Sequence, residues 1–294
     1  MKVSGFTFVK NAVKYGYPVV ESIASLLPVV DEMLVCLGDS DDETSRLIES
    51  MQSTKIKIIR SVWDQSLRKG GKVLAVETNK ALAATDSKSD WLFYIQADEV
   101  LHEKYHAGIL NAMRQYKDDT RVEGLLFHFH HFYGSYNLIG DGRRWYSKEI
   151  RVIRNDKRIK SYRDAQGFRW EDNRKLNVKL IDAYMYHYGW VRNPIVMQRK
   201  TMDFGKLWTP ASADEREGER NEEVEPFDYS NIDSVIAFND NHPAVMKQRI
   251  EQADWDSKIE VNAKRFKNAK HSVLYFLWKA FGWRPFEYRN YRTI

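Results

Sequence analysis

Through residue 95 the chain alternates short, continuously apolar runs with longer stretches whose apolar residues recur at helical spacing. The apolar runs cover residues 6–9 (FTFV), 33–37 (MLVCL), 56–59, where Ile56 and Ile58 flank Lys57, and 91–95 (WLFYI). Each has the length of a buried strand. After Pro18, the residues Val19, Ile23, Leu26 and Leu27 keep helical spacing up to Pro28. Ser40 and Glu43 stand at capping-box spacing before a helix carrying Leu47, Ile48 and Met51. A third helix is predicted over residues 72–85, and a fourth carries Ile109, Met113 and Tyr116 on one face. Strands alternating with helices predict a parallel sheet whose right-handed crossovers cover both faces. The strands then end on one edge, in the polar strings KN, GDSDDE and QADE. That rim is where open α/β sheets bind ligands.

The second half has a different rhythm. Residues 125–130, 149–153 and 176–180 alternate apolar and polar positions, which predicts strands in a mixed or antiparallel part of the sheet. Two long connections, residues 133–147 and 155–175, read as loops of a length that usually carries function. A helix after Pro194 places Met197, Thr201, Phe204 and Trp208 on one face. Residues 214–225 are mostly acidic and read as a surface loop, and residues 243–281 read as helical. The expected organisation is an α/β domain over residues 1–242 and a helical extension over 243–294.

Composition narrows the class. Hydrophobic residues at 43% and charged residues at 30% describe a soluble globular protein with ample core. The single cysteine, Cys36, excludes an intramolecular disulfide and fits a reducing compartment. No signal peptide is visible, and no apolar run approaches the roughly 20 residues of a spanning helix. The expected location is cytoplasmic. The net charge of +5 is unevenly placed, with basic residues gathered between Lys264 and Arg292 beside the apolar run HSVLYFLWKAFGW. A nucleic-acid binder concentrates its cations in a binding patch, so nucleic acid is not an expected partner. A basic and apolar terminus reads as an anionic-membrane contact through residues 271–284, or as a helix docked on the protein's own core.

The chemistry begins at QADE. Asp98 and Glu99 at a strand end offer carboxylate oxygens of the kind Mg²⁺ and Mn²⁺ take, together with water and substrate phosphate. The order and spacing of several motifs then resemble the family 2 glycosyltransferases over roughly residues 3–190. They are the KN after strand one, the run Val35 to Thr44 with Ser40, Asp42 and Thr44 in family positions, TNKAL at residues 78–82, and Gln96-Ala97-Asp98 at the place of a D-x-D. The resemblance implies a Rossmann-like GT-A fold and an inverting transfer of sugar from a nucleoside diphosphate, as in cell-envelope polysaccharide synthesis. It implies Mn²⁺ or Mg²⁺ on Asp98, completed by a late histidine matching His187. It places the donor on Val9, Lys10, Asn11, Gly38, Asp39, Asn79, Gln96, Ala97 and Asp98. The acceptor would be a glycan, a polysaccharide or a lipid-linked saccharide. Leu37 and Gly38 stand where the family carries paired aspartates, and Gln96 stands for the first aspartate of the D-x-D. An amide oxygen can still accept from a ribose hydroxyl.

A carboxylate must take the acceptor's proton. Asp164 is the first candidate, Glu171 the second and Glu99 the third. His128 and His130 share one strand face, but no further ligand spacing supports a zinc site. Two other readings stay open. A sugar nucleotidyltransferase would share the sheet and Mg²⁺, but usually carries a glycine-rich basic loop where this chain reads VKNAVKYGYP. A non-catalytic carbohydrate- or nucleotide-binding protein of the same fold is the reading from another class.

Overall fold

The computed structural model describes residues 1–64, 66–67, 69–208, 224–261 and 264–294. The apolar runs of the first hundred residues become β1 (Val3–Val9), β2 (Glu32–Leu37), β3 (Ile56–Arg60) and β4 (Trp91–Tyr94). Between them lie α1 (Val19–Leu26), α2 (Thr44–Glu49) and α3 (Lys72–Ala83). The four strands pair in parallel in the order β3-β2-β1-β4, so their carboxyl ends do share one rim. Successive side chains of a strand point to opposite faces. Trp91 and Phe93 accordingly join Ile23 and Met113 in one apolar layer, while Leu92 and Tyr94 join Val73 and Ala81 in the other.

The chain continues through β5 (Glu99–Leu101), α4 (His106–Gln115), β6 (Gly124–Tyr133), β7 (Ser135–Gly140), β8 (Lys148–Arg154), β9 (Ile159–Tyr162), β10 (Gly167–Trp170) and β11 (Leu176–Trp190). β8 extends the sheet antiparallel to β4, and β6 follows antiparallel to β8. β6 pairs in parallel with β11, which lies antiparallel to β5. The result is a mixed α/β sheet, parallel from β3 to β4, with helices against it.

Three expectations are corrected. The capping box is not formed: helix α2 starts at Thr44, and the Ser40 hydroxyl instead accepts from the Asn11 amide. The two long connections are not loops, because 133–147 contains β7 and 155–175 contains the antiparallel hairpin β9–β10. Between its strands the hairpin turns with Arg163 (φ 55°) and Ala165 (φ 63°) in the left-handed region, on either side of Asp164. Finally, the strand predicted over 176–180 is longer: β11 runs on to Trp190 and carries His187 inside it.

The remaining elements are α5 (Pro194–Gly205), β12 (Val235–Ala237), α6 (Lys247–Glu251), α7 (Ala269–Phe281) and β13 (Tyr291–Thr293). Most of the acidic segment 214–225 lies outside the described residues. The stretch after residue 242 is helical only at α6 and α7 among the described residues, with a short 3₁₀ turn before α6, and it returns to the main sheet where β13 pairs with β11. Tyr275 turns the inner side of α7 onto Asp141, to which Lys279 also donates at 2.7 Å.

Behind the rim, β8 buries Glu149, whose Oε1 accepts from Gln166 at 3.1 Å while Oε2 has no partner among the described residues. Burial pushes this carboxyl up from its ordinary 4.5 to about 8, against the pull of Arg151. Folded protein therefore holds a proton here that the unfolded chain releases near pH 4.5. The associated stability is complete below pH 4.5 and is lost as pH rises through about 8. Glu149→Gln, which carries no titrating proton, should lose less stability than the parent between pH 5 and 8 in urea unfolding. Parallel losses in both proteins would contradict a protonated Glu149.

Candidate functional site

At the rim, Gln96, Ala97 and Asp98 end β4 in a loop that enters a cavity of about 340 Å³. Val9 and Lys10 from the end of β1, Trp63 from the segment after β3 and Trp190 from β11 form part of its wall. Helix α5 supplies Met197, Lys200, Thr201 and Phe204, which at spacings of three and four share one helix face. The cavity thus gathers Val9, Lys10, Gln96, Ala97 and Asp98 from the expected donor residues.

Asp98 faces His187 across 3.7 Å, from Oδ2 to Nε2. A Cβ added to Gly189 would fall 2.5 Å from that nitrogen and 2.8 Å from that oxygen, so only glycine leaves the gap between them open. His187 Nδ1 lies 3.0 Å from His131 Nδ1, and His131 Nε2 lies 2.8 Å from the Tyr146 carbonyl oxygen. Carbonyl oxygens only accept, so His131 donates from Nε2. Burial, then the nearness of His187, keeps His131 neutral by pushing its pKa well down. Its Nδ1 is consequently an acceptor, and His187 must donate to it from Nδ1. In neutral His187 this leaves the Nε2 lone pair aimed at a carboxylate. Burial opposes the charge on Asp98, but a protonated His187, Lys200 and Arg192 overcome it and hold the carboxyl well below the usual range.

Two lone-pair donors facing one another repel unless a positive charge lies between them. A proton on His187 or a bound cation supplies it. One imidazole nitrogen and one carboxylate oxygen suit Mn²⁺, and an acceptor behind the ligating imidazole, here His131, fixes its tautomer as such a site requires. No group of three or more His, Cys, Asp or Glu able to hold a metal exists among the described residues. The donor set therefore fits an ion that takes its remaining ligands from phosphate and water.

Lys200 adds a second positive charge. Its Nζ donates to the Gly189 carbonyl at 2.8 Å and stands 3.9 Å from Asp98 Oδ2. Tyr17, Trp190 and Phe204 surround it, with ring centres at 5.2, 5.8 and 5.5 Å. Burial and then Arg192 push its pKa down to about 7, opposed by Asp98.

The other expected residues divide. Asp39 is held by Lys10 at 2.9 Å and accepts from the Trp63 amide, so those two donor candidates pair with each other. Gly38 gives Trp63 room, since a Cβ there would sit 2.5 Å from the indole nitrogen. Asn11 braces the turn after β2 by accepting from the Asp41 amide. Asn79 accepts from the Ser161 amide and lines a different cavity, of about 680 Å³, with Lys72, Ser161, Arg163, Asp164 and Gln166. Trp208 borders both cavities, and Gln96 donates to the Ala165 carbonyl at 3.3 Å, so the two adjoin.

Glu99 is corrected as a candidate base. It is fully buried and its two oxygens accept from Arg151 Nε and Nη2 at 2.8 and 2.6 Å. Glu171 is corrected as well. Its amide donates to Arg158 at the end of the hairpin, and Arg158 lines a cleft with Ser89 and Asp90, which precede β4 and lie at the opposite rim. Asp164 is the candidate that borders the site. Sequence reasoning missed Trp63 and Lys200, and named His131 only within the histidine cluster considered for zinc. Lys200 alone had a signal, since it shares a helical face with Met197 and Phe204.

No family model matches the chain, and neither does any curated protein. Solved structures similar to it include the following three. Residues 1–349 of Staphylococcus aureus TarS in complex with UDP align over 72% of this chain and 67% of that one, at 14% identity and a TM-score of 0.37. A 4-diphosphocytidyl-2C-methyl-D-erythritol synthase from Anaerococcus prevotii aligns over 52% and 71%, at 14% identity and 0.34. Glucosyl-3-phosphoglycerate synthase from Mycobacterium tuberculosis, in complex with Mn²⁺, UDP and glucosyl-3-phosphoglycerate, aligns over 45% of each chain, at 16% identity and 0.30. The chain spans 39% of a longer TarS structure, at a TM-score of 0.36.

Proposed function

We propose that the chain is an inverting glycosyltransferase that moves a sugar from a nucleoside diphosphate to an acceptor hydroxyl. The observation that carries this reading is the open gap between Asp98 and His187, 3.7 Å across, beside a cavity that also presents Lys200. Asp98 and His187 would hold Mn²⁺ or Mg²⁺, which when bound offsets the charge gathering on a departing diphosphate. His131 positions His187 by fixing its tautomer. Gln96 and the aromatic walls formed by Trp63 and Trp190 suit the ribose, base and sugar of the donor. Asn11 acts through the turn it braces, and Asn79 through the β9 strand that leads to Asp164.

The acceptor enters through the adjoining cavity, where Asp164 takes the proton from its hydroxyl. That oxygen forms a bond to the anomeric carbon as the bond from this carbon to the diphosphate breaks. The bonding pair leaves with the diphosphate, and displacement in one step inverts the carbon. The two left-handed residues flanking Asp164 support its role, because such backbone is held in place mainly where a side chain must be aimed.

The acceptor class we favour is a saccharide at a membrane surface, such as a lipid-linked saccharide. Outward of α7, Val273, Phe276, Phe281, Trp283 and Phe286 are each more than half exposed. Lys264, Lys267, Lys270, Arg289 and Arg292 accompany them, against Glu287 as the acid of residues 264–294. Leu274, Leu277 and Trp278 are half-buried. Among the described residues no helix is long and apolar enough to cross a membrane, so the contact would be peripheral.

Asp98→Asn should abolish turnover and lower affinity for the donor in Mn²⁺ to the parent's level in EDTA. Parent affinity that is the same in Mn²⁺ and EDTA would contradict the metal assignment. Asp164→Asn should lower turnover by about 10²- to 10⁴-fold, the usual contribution of a general base. Its donor affinity, read by calorimetry, should match the parent's, and near-normal turnover would place the base elsewhere. Liposomes rich in phosphatidylglycerol should carry the parent upward in a flotation gradient, and Phe276→Ser/Phe281→Ser should stay behind. Failure of the parent to float would remove the membrane contact.

A further inference from the structure

We propose that Lys200, in its ammonium form, grips the donor's diphosphate, so that part of the diphosphate affinity is independent of metal. The inference rests on the donor reading above and adds a binding residue to it. Among the described residues, two lysines line the cavity. Lys10 is already held at 2.9 Å by Asp39. Lys200 is not: among the described residues its nearest carboxylate oxygen, on Asp98, is 3.9 Å away and beyond hydrogen-bond reach.

An ammonium carries three donors, and Lys200 makes a hydrogen bond to the Gly189 carbonyl at 2.8 Å. The rings of Tyr17, Trp190 and Phe204 stabilise its charge without accepting a full hydrogen bond. Arg192, itself buried and bonded to the Tyr15 carbonyl at 2.7 Å, adds a like charge nearby. Burying an ammonium is unfavourable unless it is paired. A purely structural lysine would be expected to close on Asp98, and this one does not. The surplus of positive charge around a single carboxylate in an open cavity calls for an anion. With phosphate oxygens between Lys200 and an Asp98-bound ion, both spare donors and the excess charge are satisfied.

The same placement bears on the chemical step. When the bond from the anomeric carbon to the diphosphate oxygen breaks, the electron pair stays on that oxygen. A compact ammonium already in position favours the charged leaving group over the intact donor. Lys200 should therefore influence turnover as well as affinity.

The test is calorimetric titration of the parent, Lys200→Met and Lys200→Arg with UDP, GDP and dTDP and with the matching monophosphates, each in EDTA and in Mn²⁺. Lys200→Met should weaken the diphosphate that the parent binds by about 10- to 100-fold in EDTA, the size expected for a lost charged hydrogen bond. The matching monophosphate should change by less than about 3-fold, which a general disturbance of the cavity would not reproduce. Lys200→Arg should recover part of the loss, and it keeps the test open should Lys200→Met not fold. Diphosphate affinity equal to the parent's in Lys200→Met, or equal losses for monophosphate and diphosphate, would overturn the assignment and leave the donor reading standing. A parent that binds none of these nucleotides in Mn²⁺ would overturn both.

Discussion

The rim is organised by one buried ion pair. Arg151 on β8 and Glu99 at the start of β5 are both without solvent exposure, and the guanidinium meets the carboxylate through two parallel hydrogen bonds. Taking both ions from water costs several kcal/mol each, and only good geometry with further bonds offsets it. Those further bonds are present. Glu99 Oε2 also accepts from the Gln96 amide, and Arg151 donates to the carbonyls of Ile150 and Gln166. The pair consequently holds the Gln96–Asp98 loop, the β8 strand and the β9–β10 turn in one register. Asp98 and Asp164 owe their positions to it.

The two carboxylates that end the Asp98–Glu99 sequence thus do opposite things. Glu99 points into the protein and is consumed by Arg151. Asp98 points into the cavity and is left facing His187 and Lys200. Asp98 lies in the turn between β4 and β5 while Glu99 is the first residue of β5, so the turn presents one acid to the cavity and the strand buries the other.

β11 has a comparable organising role. It pairs with β6 along most of its length, which places His187 opposite His131, and with β5, which places His187 opposite Glu99. Carried through Gly189 and Trp190, the same strand turns into helix α5, whose cap at Asn193 starts the face bearing Lys200. One continuous segment thereby delivers an imidazole, an open gap at glycine, an aromatic wall and an ammonium to a single cavity.

The parallel half of the sheet, its shared rim and the place of Asp98 were legible in the sequence, because apolar runs and helical spacing are local properties of the chain. Asp164 was legible as a candidate through resemblance, but its neighbourhood was not. The β-hairpin around it was hidden, since IKSY and GFRW are only four residues each, too short for a clear alternating pattern. The roles of Glu99, Glu171 and Asn79 were decided only by tertiary structure. Whether a carboxylate is a base or half of an ion pair depends on what lies across from it, here Arg151, which is 52 residues away in the chain. The same holds for Lys200 and Asp98, which are far apart in sequence and within 3.9 Å in space. Periodicity reports which face a residue takes, and only long-range pairing of strands reports which charge it meets.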